Sequence, residues 1–272
     1  MTVRVGLFDS GVGGLSVWRE IVSMRPDFET LYVADQAHIP YGARTVSEIR
    51  TWSLAIARFL VGQGCDAVVV ACNTASAAAL ETLRRDLPRV PFVGMEPAVK
   101  PAVATTRSGV VGVLATPTTF QGDLFASTVE RFATGVEVLQ QACPGLVECI
   151  ESGDLDGPRP RAILRDAIAP ALAAGADALV LACTHYAFVS PAIEHLAGPD
   201  VRILDPAPAI ARQLERVVAS TALGGAPARE QFWTTGNVME FERIASMLVH
   251  RPVRAGALAW SAGGALAVVS EP

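Results

Sequence analysis

Short apolar runs alternate along the chain with segments of helical periodicity. The runs are nearly continuous hydrophobics, which is typical of strands buried on both faces of a parallel sheet. They span residues 3–8, 31–34, 67–71, 91–95, 109–115, 136–140, 178–182 and 201–204. Such strand–helix alternation predicts an α/β fold with parallel sheets joined by right-handed crossovers.

One helix between these runs is well marked, at Ser47–Gly62. Its apolar side chains form a single stripe, made of Ile49, Trp52, Ile56, Phe59 and Leu60. Ahead of it, Thr45 and Glu48 have the spacing of a capping box. We therefore expect the helix to begin just after Thr45.

Two segments of the chain nearly copy each other. "GCDAVVVACNTASA" runs from Gly64 to Ala77, and "GADALVLACTHYAF" runs from Gly175 to Phe188. Two further pairs keep the same order: "VGLFDSG" with "VGVLATP", and "VGMEPA" with "RILDPA". Chance likeness between any two doubly wound domains is the alternative, but matched segments in one order favour duplication.

The duplication predicts two similar doubly wound parallel-sheet domains related by a pseudo-twofold axis, with the active site in the interdomain cleft. Residues 1–98 and 99–207 are the two copies. Residues 208–272 add helix, strand, helix and strand, and we expect them to complete the first domain, which is then discontinuous. The uncharged stretch 255–270 is too short to span a bilayer and is interpreted as a strand or hairpin.

Composition narrows the function classes. The chain has 272 residues, is 51% hydrophobic and carries a net charge of −5. A large core is therefore available, and a disordered protein or a nucleic-acid binder is disfavoured. The five cysteines include no Cys-x-x-Cys pair, and no basic leader precedes the first strand. These features predict free thiols in a reducing cytoplasm and no membrane association.

Polar residues collect where the predicted strands end, which is where open parallel sheets bind ligands. In the first copy these residues are Asp9, Ser10, Asp35, Tyr41, Gly42, Cys72, Asn73 and Thr74. In the second copy they are Thr116, Thr118, Thr119, Glu151, Cys183, Thr184 and His185. The other three cysteines, Cys65, Cys143 and Cys149, are interpreted as core packing.

Cys72 and Cys183 are the candidates for chemistry. Each lies between a strand and a predicted helix start, where the helix dipole favours a thiolate. Asp9 is placed to assist Cys72, and His185 to assist Cys183. Zinc held by the two thiols and the imidazole is the alternative, but the sequence has no short ligand pair.

The glycines of "DSGVGG" (9–14) do not have dinucleotide-loop spacing, and Asp9 would repel a pyrophosphate. We expect a tight turn that leaves backbone N–H groups free at a helix start, where a small anion binds.

Two acid/base groups on opposite faces of one carbon are what inversion of a stereocentre requires. One thiolate removes the α-proton and the opposite thiol delivers another. Lys100, the only lysine, is predicted in a helix and is not placed for a pyridoxal phosphate Schiff base. The sequence therefore predicts an amino-acid racemase that uses no cofactor and no metal.

The motifs "GLFDSGVGGLSV", "PYG", "ACNTASA", "LACTHYAF" and "TTGN" together resemble the glutamate racemase family, of the cofactor-independent aspartate/glutamate racemase superfamily. The resemblance implies interconversion of L- and D-glutamate, with D-glutamate supplied to peptidoglycan precursors in the cytoplasm. It implies that Cys72 acts on the D-enantiomer and Cys183 on the L-enantiomer, and that Asp35 and Glu151 are further catalytic acids. A homodimer or another homo-oligomer is also implied.

The chain departs from the family pattern at residues 115–119, where the threonines of that pattern are present and its usual glycines are absent. After residue 250 the resemblance supplies no motif from which to draw an expectation. Two alternatives stay open: a related racemase acting on aspartate or another amino acid, and a non-enzymatic amino-acid-binding protein. The second has no use for two apposed thiols.

Overall fold

The computed structural model describes residues 2–121, 123–218 and 228–269. The chain divides into two compact units, Met1–Met95 with Ala207–Pro272, and Glu96–Pro206. The predicted domain boundaries, 98/99 and 207/208, stay a prediction.

The first unit is built on a mostly parallel sheet. Its strands are β1 (Arg4–Asp9), β2 (Glu29–Ala34), β3 (Ala67–Val70), β4 (Phe92–Gly94), β9 (Glu230–Thr234), β10 (Ala255–Trp260) and β11 (Leu266–Val268). Its helices are α1 (Leu15–Met24), α2 (Val46–Gly62), α3 (Asn73–Asp86), α10 (Ala207–Val218) and α11 (Val238–Val249), with 3-10 turns at Gln36–His38 and Tyr41–Ala43. The strand order is β11-β10-β9-β2-β1-β3-β4, and only the pair β10–β11 is antiparallel.

The second unit has a fully parallel sheet. Its strands are β5 (Val110–Ala115), β6 (Glu137–Ala142), β7 (Ala178–Ala182) and β8 (Arg202–Leu204), in the order β6-β5-β7-β8. Its helices are α4 (Val99–Thr105), α5 (Pro117–Gln121), α6 (Asp123–Phe132), α7 (Leu146–Ser152), α8 (Pro158–Ala173) and α9 (Ser190–Ala197), with a 3-10 helix at Thr184–Val189.

The predicted duplication is visible in the strand order. β2-β1-β3-β4 of the first unit and β6-β5-β7-β8 of the second follow the same order, with the first strand of each copy in the interior. Each apolar run named above forms a strand, and the 255–270 stretch forms the hairpin of β10 and β11 within its described part. The α/β fold with two similar parallel sheets is therefore confirmed.

Burial differs from strand to strand. The central strands β3 and β7 are buried along their whole length, as continuous apolar runs predict. Of the edge strands, β6 is half exposed, whereas β4 is buried along its whole length. Within the described ranges, no helix has the length and apolar character needed to cross a membrane.

The helix after the second strand begins as predicted. The Thr45 hydroxyl accepts a hydrogen bond from the Glu48 N–H, and the Glu48 carboxylate accepts one from the Thr45 N–H, which closes the capping box. On the buried side of α2, Ile49, Ile56 and Leu60 pack in the core of the first unit.

We expect Thr45→Ala to lower the free energy of unfolding by about 1 kcal/mol, because a first-turn N–H loses its acceptor. The measurement is the shift of the urea unfolding midpoint. Thr51→Ala is the matched control. Thr51 is an exposed residue in the middle of the same helix, and its side chain does not cap the N-terminus. Equal shifts for the two variants would contradict the assigned cap.

Candidate functional site

The polar residues predicted for the first copy gather at one edge of the first sheet. β1, β2 and β3 are parallel neighbours, so their carboxyl ends lie side by side. Asp9 and Ser10 end β1, Asp35 follows β2, and Cys72 follows β3 by two residues. We call Asp9, Ser10, Tyr41, Cys72 and Asn73 the Cys72 cluster.

Cys72 is the N-cap residue of α3. Its backbone is extended, with φ −139° and ψ 123°, and its sulfur accepts a hydrogen bond from the Ala75 N–H at 3.4 Å. The side chain is only 5% exposed. A negative sulfur at this position is favoured by the helix dipole and by the first-turn N–H groups. The predicted placement of Cys72 at a helix start is confirmed.

Asp9 is fully buried and is held by its own loop. One carboxylate oxygen accepts from the Ser10 N–H at 2.6 Å, and the other accepts from the Gly14 N–H at 2.5 Å. These two N–H groups are therefore occupied, and the expectation that the loop keeps its N–H groups free for an anion is wrong for them. The loop instead fixes the Asp9 carboxylate.

Gly14 allows the loop to approach the Asp9 carboxylate closely enough for these hydrogen bonds. A Cβ at this position would lie 2.9 Å from both the Asp9 Cβ and the Tyr32 hydroxyl, and 3.0 Å from the Ala71 Cβ. Because no larger residue fits there, the last glycine of "DSGVGG" serves close packing around Asp9.

Tyr41 is buried in the same cluster and donates its hydroxyl to Asp35 at 2.7 Å. Burial, followed by the negative charge of Asp35, raises the pKa of Tyr41 well above its ordinary value of 10.0. The phenol therefore stays neutral and keeps its proton for this hydrogen bond.

Asn73, the residue after the candidate thiol, is buried with both carboxamide atoms lacking a hydrogen-bond partner among the described residues. A buried amide without partners costs about 1–3 kcal/mol per orphaned group. Such a group is typical of a site that a polar ligand completes.

The polar residues predicted for the second copy gather at the corresponding edge of the second sheet. Thr116 follows β5, and its hydroxyl lies 2.9 Å from that of Thr119. Cys183 follows β7 directly and is 7% exposed. His185 lies two residues further on, and Glu151 comes from α7. We call Thr116, Thr119, Glu151, Cys183 and His185 the Cys183 cluster.

His185 connects the candidate thiol to a carboxylate. Its Nδ1 lies 3.8 Å from the Cys183 sulfur, and its Nε2 lies 2.7 Å from a Glu151 carboxylate oxygen. Burial alone would lower the pKa of His185, but hydrogen bonds to Cys183 and Glu151, with the negative charges of both, outweigh burial. The pKa of His185 is therefore raised well above 6.5, and the imidazolium is favoured at neutral pH.

The two thiols have different surroundings. Cys183 makes no capping hydrogen bond, because a 3-10 helix follows it where α3 follows Cys72. The sequence predicted a helix start after both thiols. That start is an α-helix for Cys72 only, and Cys183 has the imidazolium of His185 instead.

The remaining predicted residues lie in the same two places. Gly42 follows Tyr41 in a 3-10 turn, and Thr74 follows Asn73 in the first turn of α3. Thr118 lies in α5, and Thr184 begins the 3-10 helix after Cys183. In the described parts of the chain, no three His, Cys, Asp or Glu side chains are grouped to hold a metal ion.

The other cysteines are buried and lack acidic character. Burial raises the pKa of Cys65 to about 12, and that of Cys143 to about 12 with a further contribution from the nearby Cys183. Burial also raises the pKa of Cys149. Their interpretation as packing residues agrees with these values.

Sequence reasoning missed His38 and Trp260, which both contact Asp35. Neither belongs to a recognisable motif. The available signal is the strand or hairpin predicted in residues 255–270, since Trp260 ends the strand β10 of the same sheet.

Comparison with known proteins agrees with this architecture. The family model for Asp/Glu/hydantoin racemases matches residues 14–214. Glutamate racemase of Pseudomonas aeruginosa is 51% identical over 259 residues, which cover 94% of this chain and 98% of that protein.

Two crystal structures are similar over nearly the whole chain. A glutamate racemase isoform of Bacillus anthracis has a TM-score of 0.85 at 31% identity, covering 94% of this chain and 97% of that one. Escherichia coli glutamate racemase, in complex with L-glutamate and the activator UDP-MurNAc-Ala, has a TM-score of 0.83 at 27% identity, covering 99% and 100%.

Fold and family match together define an isomerase of the amino-acid racemase class. Within that class the chain belongs to the glutamate racemase family.

We expect Glu151→Gln to lower the pKa of His185, because the variant removes a negative charge 2.7 Å from the ring while keeping an acceptor there. The measurement is an NMR titration of the His185 ring. Glu148→Gln, an exposed change on the same helix, is the control and should leave the titration in place. An unchanged His185 titration in Glu151→Gln would contradict the assigned pair.

The same pair makes stability depend on pH. Because the folded pKa of His185 lies above 6.5, its stabilisation is complete below about pH 6.5 and is lost as the pH rises through the folded value. In Glu151→Gln that loss should occur at lower pH, which thermal unfolding across a pH series measures.

Proposed function

We propose that this protein interconverts L- and D-glutamate without a cofactor, with Cys72 and Cys183 as its two bases. The observation that carries the proposal is that both thiols lie within two residues of the carboxyl ends of equivalent strands, β3 and β7, of two sheets in which β2-β1-β3-β4 and β6-β5-β7-β8 have the same order. Each thiol also has its own polar neighbour, the first turn of α3 for Cys72 and the His185 ring for Cys183. The relatives named above are glutamate racemases, and the Escherichia coli one is complexed with L-glutamate.

The proton balance follows from the pair. From L-glutamate, the Cys183 thiolate takes the α-proton and becomes a thiol, leaving a carbanion. The Cys72 thiol then donates its proton to the opposite face of the α-carbon and becomes a thiolate. D-glutamate is formed and leaves the site. The enzyme is then poised for the reverse reaction, in which the two thiols exchange roles. The scheme requires one thiol on each face of the α-carbon.

The two bases have different partners in this scheme. His185 as imidazolium, held by Glu151, balances charge on Cys183. Asp9, fixed within its loop, is the carboxylate assigned to Cys72. The α-proton of an amino acid is a weak acid, so the site must also exclude water and stabilise the carbanion with preoriented dipoles.

Substrate binding is assigned mainly to neutral polar groups in or beside the two clusters. The neutral residues are Ser10, Tyr41, Gly42, Asn73, Thr74, Thr116, Thr118, Thr119 and Thr184, and the charged residues assigned with them are Asp9 and His185. Hydroxyl and amide groups suit the α-ammonium and the two carboxylates of glutamate. Asn73 is the clearest of them, because its buried carboxamide lacks protein partners.

The cellular setting is part of the proposal. Neither of the two thiols assigned to catalysis is in a disulfide, and both need a reducing compartment, which favours the cytoplasm. The resemblance to glutamate racemases favours the use of the product, D-glutamate, in peptidoglycan synthesis. A homodimer or another homo-oligomer stays a prediction, which light scattering of the purified protein tests. A panel of L-amino acids distinguishes glutamate from aspartate as the substrate.

We expect Cys72→Ala and Cys183→Ala each to lower racemisation by about 10³-fold or more, the scale of a lost acid/base group. The residual chemistry should differ. In deuterated water Cys183→Ala should exchange the α-hydrogen of D-glutamate with retention of configuration, because Cys72 removes and returns a proton on one face. Cys72→Ala should do the same for L-glutamate. Proton NMR and chiral chromatography measure exchange and configuration.

Cys65→Ala and Cys149→Ala are the matched controls, one buried thiol from each unit, and both should keep racemisation near the wild-type rate. Full racemisation in either Cys72→Ala or Cys183→Ala would exclude the two-thiol scheme.

We expect Asn73→Leu to raise the melting temperature without substrate and to raise KM for glutamate about tenfold or more. The substitution removes two orphaned polar groups at similar volume and also removes a substrate partner. Differential scanning calorimetry and steady-state kinetics measure the two effects. A lower melting temperature with unchanged KM would show that the carboxamide serves the fold.

A further inference from the structure

Asp35 has four polar partners at the edge of the first sheet. One of its carboxylate oxygens accepts from the Thr235 hydroxyl and from the Trp260 indole N–H, each at 2.8 Å. The other accepts from the Tyr41 hydroxyl at 2.7 Å and lies 2.8 Å from the His38 Nδ1. Asp35 is also fully buried.

This bonding leaves Asp35 little capacity for a substrate. Each oxygen already has two polar neighbours, and no part of the side chain is exposed. The sequence assigned Asp35 to catalysis by family resemblance, but its contacts favour a role through other residues. The residue it holds next to the Cys72 cluster is Tyr41.

The partners of Asp35 come from distant parts of the chain. Thr235 lies just after β9, and Trp260 ends β10. Both lie outside the stretch that the family model matches, residues 14–214. The C-terminal segment of the chain therefore reaches the carboxylate that holds Tyr41.

The segment 234–237, "TTGN", is locked onto the residues that follow β2. The Thr235 hydroxyl also accepts from the Ala37 N–H at 3.0 Å, and the Thr234 hydroxyl donates to the Gln36 side chain at 2.8 Å. Gly236 allows this approach, since a Cβ there would lie 2.7 Å from the Gln36 Cβ. The motif thus fixes the backbone from which Asp35 projects.

Aromatic packing closes the arrangement on its outer side. The His38 ring stacks on Trp52 at a centroid distance of 3.8 Å and meets Trp260 edge-on at 5.1 Å. Trp52 also contacts Tyr41, with 5.7 Å between centroids. The indole of Trp260 is therefore held in the orientation that points its N–H at Asp35.

We propose that Thr235 and Trp260 are positioning residues for substrate binding, acting through Asp35 on Tyr41 and the adjoining Gly42. The proposal rests on the assignment of Tyr41 and Gly42 to substrate binding made above. Without either donor, the Asp35 carboxylate loses one of its four partners and Tyr41 samples more orientations. Substrate then pays for ordering Tyr41 on binding, while the two thiols and their partners are untouched.

The test uses Trp260→Phe and Thr235→Val in the full-length protein, each of which removes a donor to Asp35. Trp260→Phe keeps an aromatic ring of smaller size, and Thr235→Val keeps the side-chain shape but also removes the acceptor of the Ala37 N–H. We expect KM for glutamate to rise about 3- to 10-fold, the scale of one hydrogen bond, with kcat within about twofold of wild type. Because the two enantiomers are in equilibrium near unity, kcat/KM must fall by the same factor in both directions. Thr235→Ser keeps the hydroxyl and should restore the wild-type KM.

Trp18→Phe is the matched control. It removes an indole hydrogen bond of 3.0 Å, to Thr30, from a fully buried tryptophan of the same unit. It should lower the melting temperature at least as much as Trp260→Phe and leave KM unchanged.

Wild-type KM in both Trp260→Phe and Thr235→Val would overturn the positioning role, as would an equal rise of KM in Trp18→Phe. Neither result bears on the two-thiol scheme, which the Cys72→Ala and Cys183→Ala variants test separately.

Discussion

The parallel pairing of strands is the constraint on which the rest of this structure depends. Parallel neighbours bring all their carboxyl ends to one edge, so residues far apart in sequence become neighbours there. In the first unit Asp9 pairs in register with Ala34, and the Asp35 N–H donates to the Asp9 carbonyl at 2.9 Å. The side chains of both acids therefore start from one rigid ladder. An antiparallel sheet would have sent alternate strand ends to opposite edges.

Duplication of this plan explains two equivalent thiols, and local chain geometry explains why they differ. After Cys72 the chain enters an α-helix, and the sulfur caps it through the Ala75 N–H. After Cys183 the chain enters a 3-10 helix, whose first residues carry His185 back toward the sulfur. A backbone dipole serves one thiol and an imidazolium held by Glu151 serves the other. A two-base racemase needs an acid/base group on each face of the α-carbon, and the two groups can be supported by different neighbours.

The sequence predicts what is local and misses what is distant. The strands follow from continuous apolar runs, and the start of α2 follows from the Thr45–Glu48 spacing, because both signals lie within a few residues. The duplication adds a longer-range prediction, because two copies with the same order of sequence segments should have the same order of strands in their sheets. The Asp35–Trp260 bond joins the residue after β2 to the last residue of β10, and no sequence periodicity indicates it. The occupied N–H groups of the Asp9 loop were missed because their acceptor is the preceding acid itself.

Hydrogen-bond satisfaction separates scaffold from binding surface at the edge of the first sheet. Asp35 is a buried carboxylate, which is stable only when neighbours supply enough donors. Four polar groups do so, and this makes Asp35 a fixed point. Asn73 is equally buried, yet its carboxamide has no partner among the described residues. The same sheet edge therefore holds a buried carboxylate with four polar partners and a buried amide with none in the described part of the chain. The unsatisfied amide lowers the stability of the fold. A polar substrate that supplied the missing partners would recover that cost. This is the physical reason for our proposal that glutamate binds against Asn73 and that Asp35 belongs to the frame that holds Tyr41.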